Sequence, residues 1–489
     1  MSVSKKVTQT AAMVITTSSN TMTSASSTAL SMNIMNSSHD SANSKPSIAI
    51  IGAGAAGLVT AKVLSSNGYQ PFIFEKEENQ QQQGSYGGGI GGVWSYQPNS
   101  KTKPMYKGLR TNLPRELMAF RTKKWGGDGK TMSFVTHTEV KQYLLDYSIE
   151  NDLIKYISFG CNVKQLTVCS EDENKGEGTN DHWPKVEIEW EQSQLNQNYK
   201  QRFDGVCICN GHYSIPSFPN IPGIQHFKGR TMHSIEYDDP SVFQDLTVLC
   251  VGGRASGADL AREISTFAKK VFLSDTTCPI LDDGLPLSLE NVSWVPKTIS
   301  IDEQDGRVHF EKPCIERPND IDVIIFCSGY DYHFPFINKD SNLDFEVIPG
   351  ERRVSPLYSG LWHAQYPNIA FIGLQHSVVP FPFFEFQAEA YTRQLSVRLN
   401  NNDDTLGMKV PSLLHERMEA AAKDKHSGGP KEVGRVQDSH YLGSFQWDAC
   451  RKYAEYGNVL NEDVKKFIAT NKVCFQCIQN MYKISVKYS

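Results

Sequence analysis

The sequence predicts an α/β protein with two doubly wound parallel sheets and β-meander additions. Two observations lead to this prediction. Short, continuous apolar runs at residues 47–51 and 246–251 are each followed by a glycine-rich turn, a helical pattern and a second apolar run. Such runs are typical of strands that are buried on both faces of a parallel sheet. Because the whole pattern occurs twice, we expect two strand–helix–strand units in the chain.

The first unit carries a dinucleotide-binding pattern. Its turn reads Gly52-Ala53-Gly54-Ala55-Ala56-Gly57. In the G-x-G-x-x-G pattern the first glycine makes the tight turn, the second lets a pyrophosphate approach the backbone, and the third lets the helix pack on the strand. The helix N-terminus stabilises the phosphate charge. Glu75 follows the second strand and can accept hydrogen bonds from ribose hydroxyls.

The second unit repeats the first with a constant shift of 200 residues and no gap. Its turn reads Gly252-Gly253-Arg254-Ala255-Ser256-Gly257, and Asp275 takes the place of Glu75. Two dinucleotide folds in one chain imply two nucleotide cofactors, of which one is usually a flavin and the other a nicotinamide. The second unit is the weaker one, because Arg254 stands where the pattern has its second glycine. A purely structural strand–helix–strand unit therefore stays open there.

Composition excludes several other classes of protein. The net charge is −5 and the isoelectric point is near 6.2, so no nucleic-acid partner or anionic membrane surface is expected. No run reaches about 18 apolar residues, so no transmembrane anchor is expected. Eleven cysteines in 489 residues are too sparse for a disulfide framework and indicate a reducing compartment. Cys474 and Cys477 lack two further ligands at matching spacing, so no metal site is expected.

Residues 1–45 differ from the rest of the chain. They contain 12 Ser, 7 Thr and one acid, and no Arg. A segment of this composition buries too little apolar surface to offset its ordering entropy, which predicts a disordered tail. An organelle-targeting segment stays open, because transit peptides are also Ser-rich and poor in acids. Otherwise we expect a cytoplasmic protein.

A motif between the two units identifies a family. Phe227-Lys228-Gly229-Arg230-Thr231-Met232-His233-Ser234-Ile235-Glu236-Tyr237 matches F-x-G-x-x-x-H-x-x-x-Y, which resembles the signature of the flavin-containing monooxygenases. Further segments resemble the same family: Gly91–Trp94, Leu109–Met118, Cys209–Tyr213, Phe326–Tyr330, Pro380–Glu385 and His440–Gly443 with Gln446. The last two look most like plant glucosinolate S-oxygenases and soluble fungal and animal relatives.

The resemblance implies a domain organisation and a reaction. An FAD-binding domain would comprise residues 46–214 and 328–489, and an NADPH-binding domain residues 215–327. Reduced nicotinamide would pass a hydride to FAD, and the reduced flavin would capture O₂ as a C4a-hydroperoxide. A small nucleophilic substrate, with a thioether sulfur or an amine nitrogen, would then take up one oxygen atom. A homodimer stays open.

The resemblance also implies site residues. Gly92, Val93 and Trp94 match the family's G-G-x-W segment, and Thr111 and Asn112 match the segment with its active-site asparagine. By this resemblance the cofactor contacts include Thr111, and Asn112 is the catalytic side chain beside the flavin and the nicotinamide amide. An uncharged amide suits that position because it can donate and accept hydrogen bonds without taking up a proton. His233 is expected to be structural.

Two departures from the family pattern concern local geometry. After Phe120 the family commonly has an acid followed by Phe-Pro-Phe, whereas this chain has Arg121-Thr122-Lys123-Lys124-Trp125. Arg254 replaces a small residue.

The second unit leaves the choice of nicotinamide open. An acid at the position of Asp275 favours a free ribose 2′-hydroxyl and opposes a 2′-phosphate, so NADH is expected to be accepted unusually well. NADPH remains the default because the family uses it, and the Arg254 guanidinium suits a phosphate. Alternatively, Asp275 caps a turn and faces solvent.

Rival functions can be separated. A flavin disulfide reductase would carry a cysteine pair soon after the first turn, and no Cys lies between Gly52 and Asn151. A Baeyer–Villiger-type or N-hydroxylating flavin monooxygenase stays open, as does a non-catalytic, redox-responsive FAD-binding protein.

Overall fold

The computed structural model describes residues 45–79, 88–126, 132–170, 183–276, 290–314, 318, 320–348, 352–399, 418–419 and 440–488. The predicted tail, apart from Lys45, lies outside these residues. No helix within the described ranges is long and apolar enough to cross a membrane.

The strands and helices are numbered along the chain. The first seven strands are β1 (Ser47–Ile51), β2 (Gln70–Glu75), β3 (Ile157–Phe159), β4 (Cys161–Val168), β5 (Val186–Gln192), β6 (Gln197–Phe203) and β7 (Gly205–Ile208). The next eight are β8 (Ile215–Pro216), β9 (Arg230–His233), β10 (Thr247–Val251), β11 (Lys270–Asp275), β12 (Val292–Pro296), β13 (Thr298–Ile301), β14 (Val308–Phe310) and β15 (Val323–Phe326). The remaining strands are β16 (Tyr330–Asp331), β17 (Glu346–Ile348), β18 (Arg353–Ser355), β19 (Leu357–Tyr358), β20 (Trp362–His363) and β21 (Ile369–Phe371). The α-helices are α1 (Ala55–Ser66), α2 (Arg115–Met118), α3 (His137–Glu150), α4 (Ala255–Ile264), α5 (Pro380–Leu399), α6 (Gln446–Tyr456) and α7 (Glu462–Tyr488).

Two separate sheets confirm the predicted α/β class. The first sheet has the order β19-β20-β21-β7-β1-β2-β3, and its strands from β21 to β3 run parallel. The second sheet has the order β12-β11-β10-β15-β9 and is parallel throughout. All five residues of β1 are buried, as a strand covered on both faces requires. The predicted meander is also present, as the antiparallel sheet β4-β5-β6.

The two units that repeat in the sequence also pair their strands in the same register. Ser47 of β1 pairs with Gln70 of β2, and 200 residues later Thr247 of β10 pairs with Lys270 of β11. The helix between the strands begins at residue 55 in one unit and at residue 255 in the other. Each unit therefore places its glycine-rich turn at the carboxyl edge of its sheet, where open α/β folds bind ligands.

The repeat extends to a third strand that the 200-residue shift does not cover. Asp204 precedes β7 and accepts a hydrogen bond of 2.8 Å from the backbone N–H of Ser47. Asp322 precedes β15 and accepts one of 2.8 Å from the N–H of Thr247. In both units the aspartate thus fixes the start of the neighbouring parallel strand. The sequence carried a signal for this, because D-x₄-C-x-G occurs at 204–211 and again at 322–329.

The two chain segments that pass between the sheets pair with each other. β8 and β16 form a short antiparallel ribbon, in which Ile215 faces Asp331 and Pro216 faces Tyr330. Arg352 donates a hydrogen bond of 2.5 Å to the carbonyl oxygen of Ser328, one residue before the left-handed Gly329. The boundaries predicted for the two domains, 46–214 with 328–489 and 215–327, stay a prediction.

Candidate active site

The first glycine-rich turn uses two of its glycines for the fold itself. Gly52 has φ +107°, and a Cβ there would lie 2.7 Å from the carbonyl oxygen of Cys209. A Cβ on Gly57 would lie 1.9 Å from the carbonyl oxygen of Gly52, so only glycine lets α1 pack against β1. At Gly54 a Cβ would meet nothing closer than the Cα of Gly92, at 3.7 Å. Gly54 is thus the one glycine of the pattern that the chain itself does not require.

The N-terminus of α1 has no side-chain cap. Gly54 occupies the N-cap position, and the first turn contains no acid. The backbone N–H groups of Ala55 and Ala56 have no acceptor within the helix, as in any first helical turn. Two orphan donors beside an open glycine, at the positive end of the helix dipole, form a suitable cradle for a pyrophosphate.

Glu75 lies buried at the end of β2 beside this turn. One carboxylate oxygen accepts from the N–H of Ala53 at 2.8 Å, and the other accepts from the N–H of Glu77 at 2.9 Å. Burial raises the pKa of the Glu75 carboxyl, and these two hydrogen bonds partly offset the rise. Each oxygen keeps a second lone pair, which a ribose hydroxyl could use as an acceptor.

The G-G-x-W segment lies against the first turn. The N–H of Gly91 donates to the carbonyl oxygen of Ala53 at 3.0 Å. Gly92 has φ +58° and begins the 3₁₀ turn Gly92–Trp94, in which Val93 and Trp94 are half-buried. Ala53 is thereby hydrogen-bonded to Glu75 through its N–H and to the G-G-x-W segment through its carbonyl oxygen. Three parts of the predicted cofactor site, the first turn, Glu75 and this segment, therefore lie next to one another.

The second turn repeats the geometry of the first. Gly252 has φ +109°, and a Cβ on Gly257 would lie 1.8 Å from the carbonyl oxygen of Gly252. Ala255 and Ser256 are exposed at the start of α4. Arg254 is the N-cap residue of α4, and its guanidinium lies 5.6 Å from the centre of the Tyr441 ring. The structure thus accommodates Arg254 by directing its side chain toward the C-terminal part of the chain, a contact that the sequence did not reveal.

Asp275 ends β11 with its carboxylate beside the second turn. Its Oδ1 accepts from the N–H of Thr276 at 2.6 Å and from the Thr276 hydroxyl at 3.0 Å. A Cβ on Gly253 would lie 2.6 Å from Oδ2 of Asp275 and 3.0 Å from the Trp294 ring. Asp275 is half-buried, so it both caps the turn through Oδ1 and faces Gly253 through Oδ2.

Asn112 and its neighbour Thr111 are held differently. Thr111 is buried and exchanges two hydrogen bonds with Val135, of 2.8 Å through its N–H and 3.1 Å through its hydroxyl. Asn112 is exposed and lies three residues before Arg115, where α2 begins. Within the described part of the chain, neither residue shares a hydrogen bond with either glycine-rich turn. Thr111 therefore fixes the backbone from which the Asn112 amide projects.

The structure explains the departure from the family pattern at Arg121. Its backbone N–H donates to a carboxylate oxygen of Glu385 at 2.7 Å, and its guanidinium pairs with Glu389 and, through Nε at 3.6 Å, with Glu385. The same guanidinium lies 4.2 Å from the centre of the Phe386 ring. Burial raises the pKa of the Glu389 carboxyl, and Arg121 opposes that rise. The positive charge thus compensates two acids of α5, which the sequence alone could not pair.

His233 makes only structural contacts within the described residues. Its Nδ1 accepts from the N–H of Ile235 at 3.2 Å, and its Nε2 donates to the carbonyl oxygen of Gly329 at 3.0 Å. Burial lowers the pKa of the imidazole, which favours this neutral form. The geometry supports the expectation that His233 holds β9 to the segment after β15.

Comparisons with known proteins agree with this architecture. The family model described as flavin-binding monooxygenase-like matches residues 45–281. Flavin-containing monooxygenase FMO GS-OX-like 2 of Arabidopsis thaliana is 33% identical over 412 residues, covering 80% of this chain and 82% of that protein. FMO GS-OX5 of the same plant is 31% identical over 432 residues, covering 83% and 84%.

A solved structure is similar over nearly the whole chain. The S-allyl-L-cysteine S-oxygenase of Allium sativum superimposes with a TM-score of 0.70 at 27% identity, covering 91% of this chain and 99% of that one. Tmm from a Pelagibacter strain shares the fold, with a TM-score of 0.64 at 22% identity, covering 87% and 89%. Together with the two glycine-rich turns and the F-x-G-x-x-x-H-x-x-x-Y motif, these matches show that the chain belongs to the flavin-containing monooxygenase family and is a flavin-dependent oxidoreductase.

Proposed function

We propose that this flavin monooxygenase oxygenates the sulfur of a small thioether, with FAD bound at the first glycine-rich turn and NADPH at the second. The observation that carries the choice of sulfur is the match over 91% of the chain to an enzyme that oxygenates S-allyl-L-cysteine. In the overall reaction, thioether, O₂, NADPH and a proton give sulfoxide, NADP⁺ and water. The hydride supplies the two electrons that reduce the second oxygen atom to water.

The first turn supports flavin binding through its own residues. The free N–H groups of Ala55 and Ala56 would hold the pyrophosphate, and the open side of Gly54 lets the phosphate come close to the backbone. Glu75 would accept from the ribose of the cofactor while it keeps Ala53 in place. The bound flavin supplies the redox and oxygen-activating chemistry, which amino-acid side chains do not provide.

The second turn supports nicotinamide binding in the same manner. The start of α4 at Ala255 and Ser256 would hold the pyrophosphate, and Asp275 lies where the adenosine ribose would be placed. The Arg254 guanidinium is exposed at the N-cap and would add positive charge beside these phosphates. In both units the same arrangement, a glycine-rich turn followed by a helix N-terminus, would therefore orient a nucleotide at the carboxyl edge of the sheet.

Asn112 would orient the nicotinamide amide over the flavin. The backbone next to Asn112 is fixed by the two hydrogen bonds of Thr111, so the position of the side chain's Cα is well defined. The side chain itself is exposed, so its amide can donate to and accept from a ligand. Such an amide can hold a carboxamide without exchanging protons with it.

The test compares substrates on the purified protein. The protein is incubated with NADPH, ¹⁸O₂ and either S-methylcysteine, N,N-dimethylaniline or cyclohexanone, and the products are analysed by mass spectrometry. We expect ¹⁸O-labelled sulfoxide formed in proportion to NADPH consumed. If the main product is the N-oxide of N,N-dimethylaniline, the oxygenated atom is nitrogen and not sulfur. If cyclohexanone is converted to a lactone, the protein is a Baeyer–Villiger enzyme. NADPH consumption that yields only peroxide with all three substrates would overturn the proposal.

A further inference from the structure

A segment that leads to Asn112 is attached to the helix of the second nucleotide unit. We call residues 95–112 the strap. Tyr106 in the strap is buried, and its hydroxyl donates a hydrogen bond to Asp259 of α4. The Tyr106 ring also meets the Tyr237 ring edge to face, with centroids 5.1 Å apart. An aromatic pair of this geometry adds about 0.5–1.5 kcal/mol to what burial alone contributes.

Tyr237 bonds to an acid of α4 in the same way as Tyr106 does, one turn further along the helix. It is buried, and its hydroxyl donates to a carboxylate oxygen of Glu263 at 2.7 Å. The strap backbone lies directly against the same carboxylate, because a Cβ on Gly108 would come within 1.8 Å of its other oxygen. Asp259 and Glu263 are four residues apart on one face of α4, and each receives a tyrosine hydroxyl. Asp259 therefore holds the strap directly through Tyr106, and Glu263 holds Tyr237, against which the Tyr106 ring packs.

A second row of contacts aligns the strap along its length. The N–H of Lys107 donates to the carbonyl oxygen of Asp238 at 3.2 Å, and its ammonium pairs with Asp239 at 2.9 Å. The hydroxyl of Tyr96 donates to the Asp238 carboxylate at 2.8 Å. The strap is thus fixed at several points to α4 and to the two aspartates that directly follow the F-x-G-x-x-x-H-x-x-x-Y motif.

The contacts between the strap and α4 connect the second glycine-rich turn with Asn112. α4 begins at Arg254, beside the second glycine-rich turn, and the strap ends at Thr111 and Asn112. We propose that Tyr106 and Tyr237 are positioning residues that hold the Asn112 amide in register with the nicotinamide nucleotide bound at α4. The inference rests on the proposed function, because it needs a nicotinamide at the second turn and a role for Asn112 in oxygenation.

The energy of the contact suits such a role. A hydrogen bond to a carboxylate is stronger than one between neutral partners, and burial of both rings excludes competing water. Burial raises the pKa of the Glu263 carboxyl, and the Tyr237 hydroxyl opposes that rise by donating to the charged form. The position of Asn112 thereby depends on the Tyr106–Asp259 bond in the same segment, and on Tyr237, whose ring supports Tyr106 and whose hydroxyl is held by Glu263.

Tyr106→Phe removes the hydroxyl and keeps the ring, whereas Asp259→Asn removes the negative charge and leaves an amide oxygen that forms a weaker, uncharged bond. Tyr106→Phe and Asp259→Asn are each prepared as the FAD-loaded protein, alone and combined with Asn112→Ala. Asp259 is partly exposed on α4, so its amide variant is expected to fold even if the phenylalanine variant does not. The matched control is Tyr69→Phe, because Tyr69 is buried just after α1 and its hydroxyl donates to Ser396 of α5, away from the strap. Flavin content, KM for NADPH, kcat and peroxide released per NADPH are measured.

We expect Tyr106→Phe and Asp259→Asn to keep full flavin content and a KM for NADPH within about threefold, while peroxide per NADPH rises about tenfold, as the loss of one charged hydrogen bond allows. In the Asn112→Ala background neither change should add further leakage. Tyr69→Phe should match the wild type. Additive leakage in the double variants, or unchanged coupling in both single variants, would overturn the inference. A wild-type protein that does not oxygenate at all would instead contradict the proposed function.

Discussion

Gly54 and Gly92 lie back to back, with 3.7 Å between the position of a Cβ on Gly54 and the Cα of Gly92. That distance is ordinary van der Waals contact. The backbone of Gly54 is also unstrained, since its φ of −76° is open to any residue. A glycine that neither space nor backbone conformation demands is best explained by something outside the chain, and a pyrophosphate at the helix N-terminus fits that description.

We therefore predict that Gly54→Val folds but loses its flavin. The branched side chain would occupy the place of the phosphate, whereas its cost at the helix N-cap is only about 1 kcal/mol. The ratio of visible flavin absorbance to protein, together with the thermal melting curve, measures both effects. Gly57→Ala serves as the contrast, because its Cβ would collide with the Gly52 carbonyl and should lower stability. Full flavin occupancy in Gly54→Val would refute this assignment.

The Asn112→Ala variant should retain FAD and become uncoupled. The change removes an exposed amide without touching the Thr111–Val135 bonds that fix the backbone. Loss of one hydrogen-bonding side chain costs about 1–3 kcal/mol, which corresponds to roughly tenfold or more in the lifetime of the oxygenating state. Peroxide formed per NADPH is the measurement, and Asn198→Ala on the exposed strand β6 is the control. If sulfoxide yield and peroxide leakage both stay at wild-type levels, Asn112 has no part in oxygenation.

The sequence predicted the elements whose signals are local. The turns at Gly52 and Gly252 follow from residue type and spacing, because a left-handed residue and a close helix–strand contact each require glycine. The strands beside them follow from apolar runs. These two signals were enough for the fold class and for the repeat of 200 residues.

Contacts between segments that are far apart in the chain could not be predicted from the sequence. Nothing in the residues around Arg121 indicates that Glu385 and Glu389 receive its charge, since the pairing depends on how α5 lies on the fold. Likewise the Arg254–Tyr441 contact joins residues 187 positions apart. Pairings of this kind are set by the tertiary arrangement, and a single sequence carries no record of it.

Acid should destabilise the protein partly through His233. Its Nδ1 accepts from a backbone N–H and burial lowers its pKa, so the folded state keeps the ring neutral. As the pH falls through about 6.5, the unfolded chain takes up a proton that the folded chain does not, and stability is lost. The loss is at most about 1.4 kcal/mol per pH unit for one such group. His363 has the same pattern, with a lowered pKa and a bond to the Asp344 carbonyl.

The variant His233→Asn isolates this contribution. The asparagine oxygen can replace Nδ1 as acceptor for Ile235, and it does not titrate. Denaturant unfolding at several pH values between about 5 and 7.5 should therefore show a shallower dependence on pH than in the wild type. An equal slope in wild type and His233→Asn would mean that His233 titrates alike in both states.

Arg254→Ala should weaken the use of NADPH more than that of NADH. The guanidinium stands at the N-cap of α4, where it can reach a phosphate, and its present contact is the Tyr441 ring. The extra charge of the 2′-phosphate makes NADPH depend more strongly on a nearby cation. The rate of flavin reduction against the concentration of each nucleotide measures the preference. Arg307→Ala, at an exposed position directly before β14, provides the control, and a preference that does not move in Arg254→Ala would exclude Arg254 from phosphate recognition.

The opposite shift is expected for Asp275→Ser. Oδ2 of Asp275 lies against Gly253, as the carboxylate of Glu75 lies against Ala53 in the first unit, so in the proposed nucleotide site the acid would face the ribose. A 2′-phosphate within about 4 Å of this carboxylate would be disfavoured by roughly 1–4 kcal/mol, depending on screening. The wild type should therefore accept NADH unusually well beside NADPH, and Asp275→Ser should favour NADPH about tenfold or more. Serine keeps a hydroxyl that can bond to a ribose or a phosphate, so binding itself should survive. The measurement is again the flavin reduction rate with each nucleotide, at low and at high salt. A strong preference for NADPH in the wild type that Asp275→Ser leaves unaltered would show that this acid only caps the turn through Thr276.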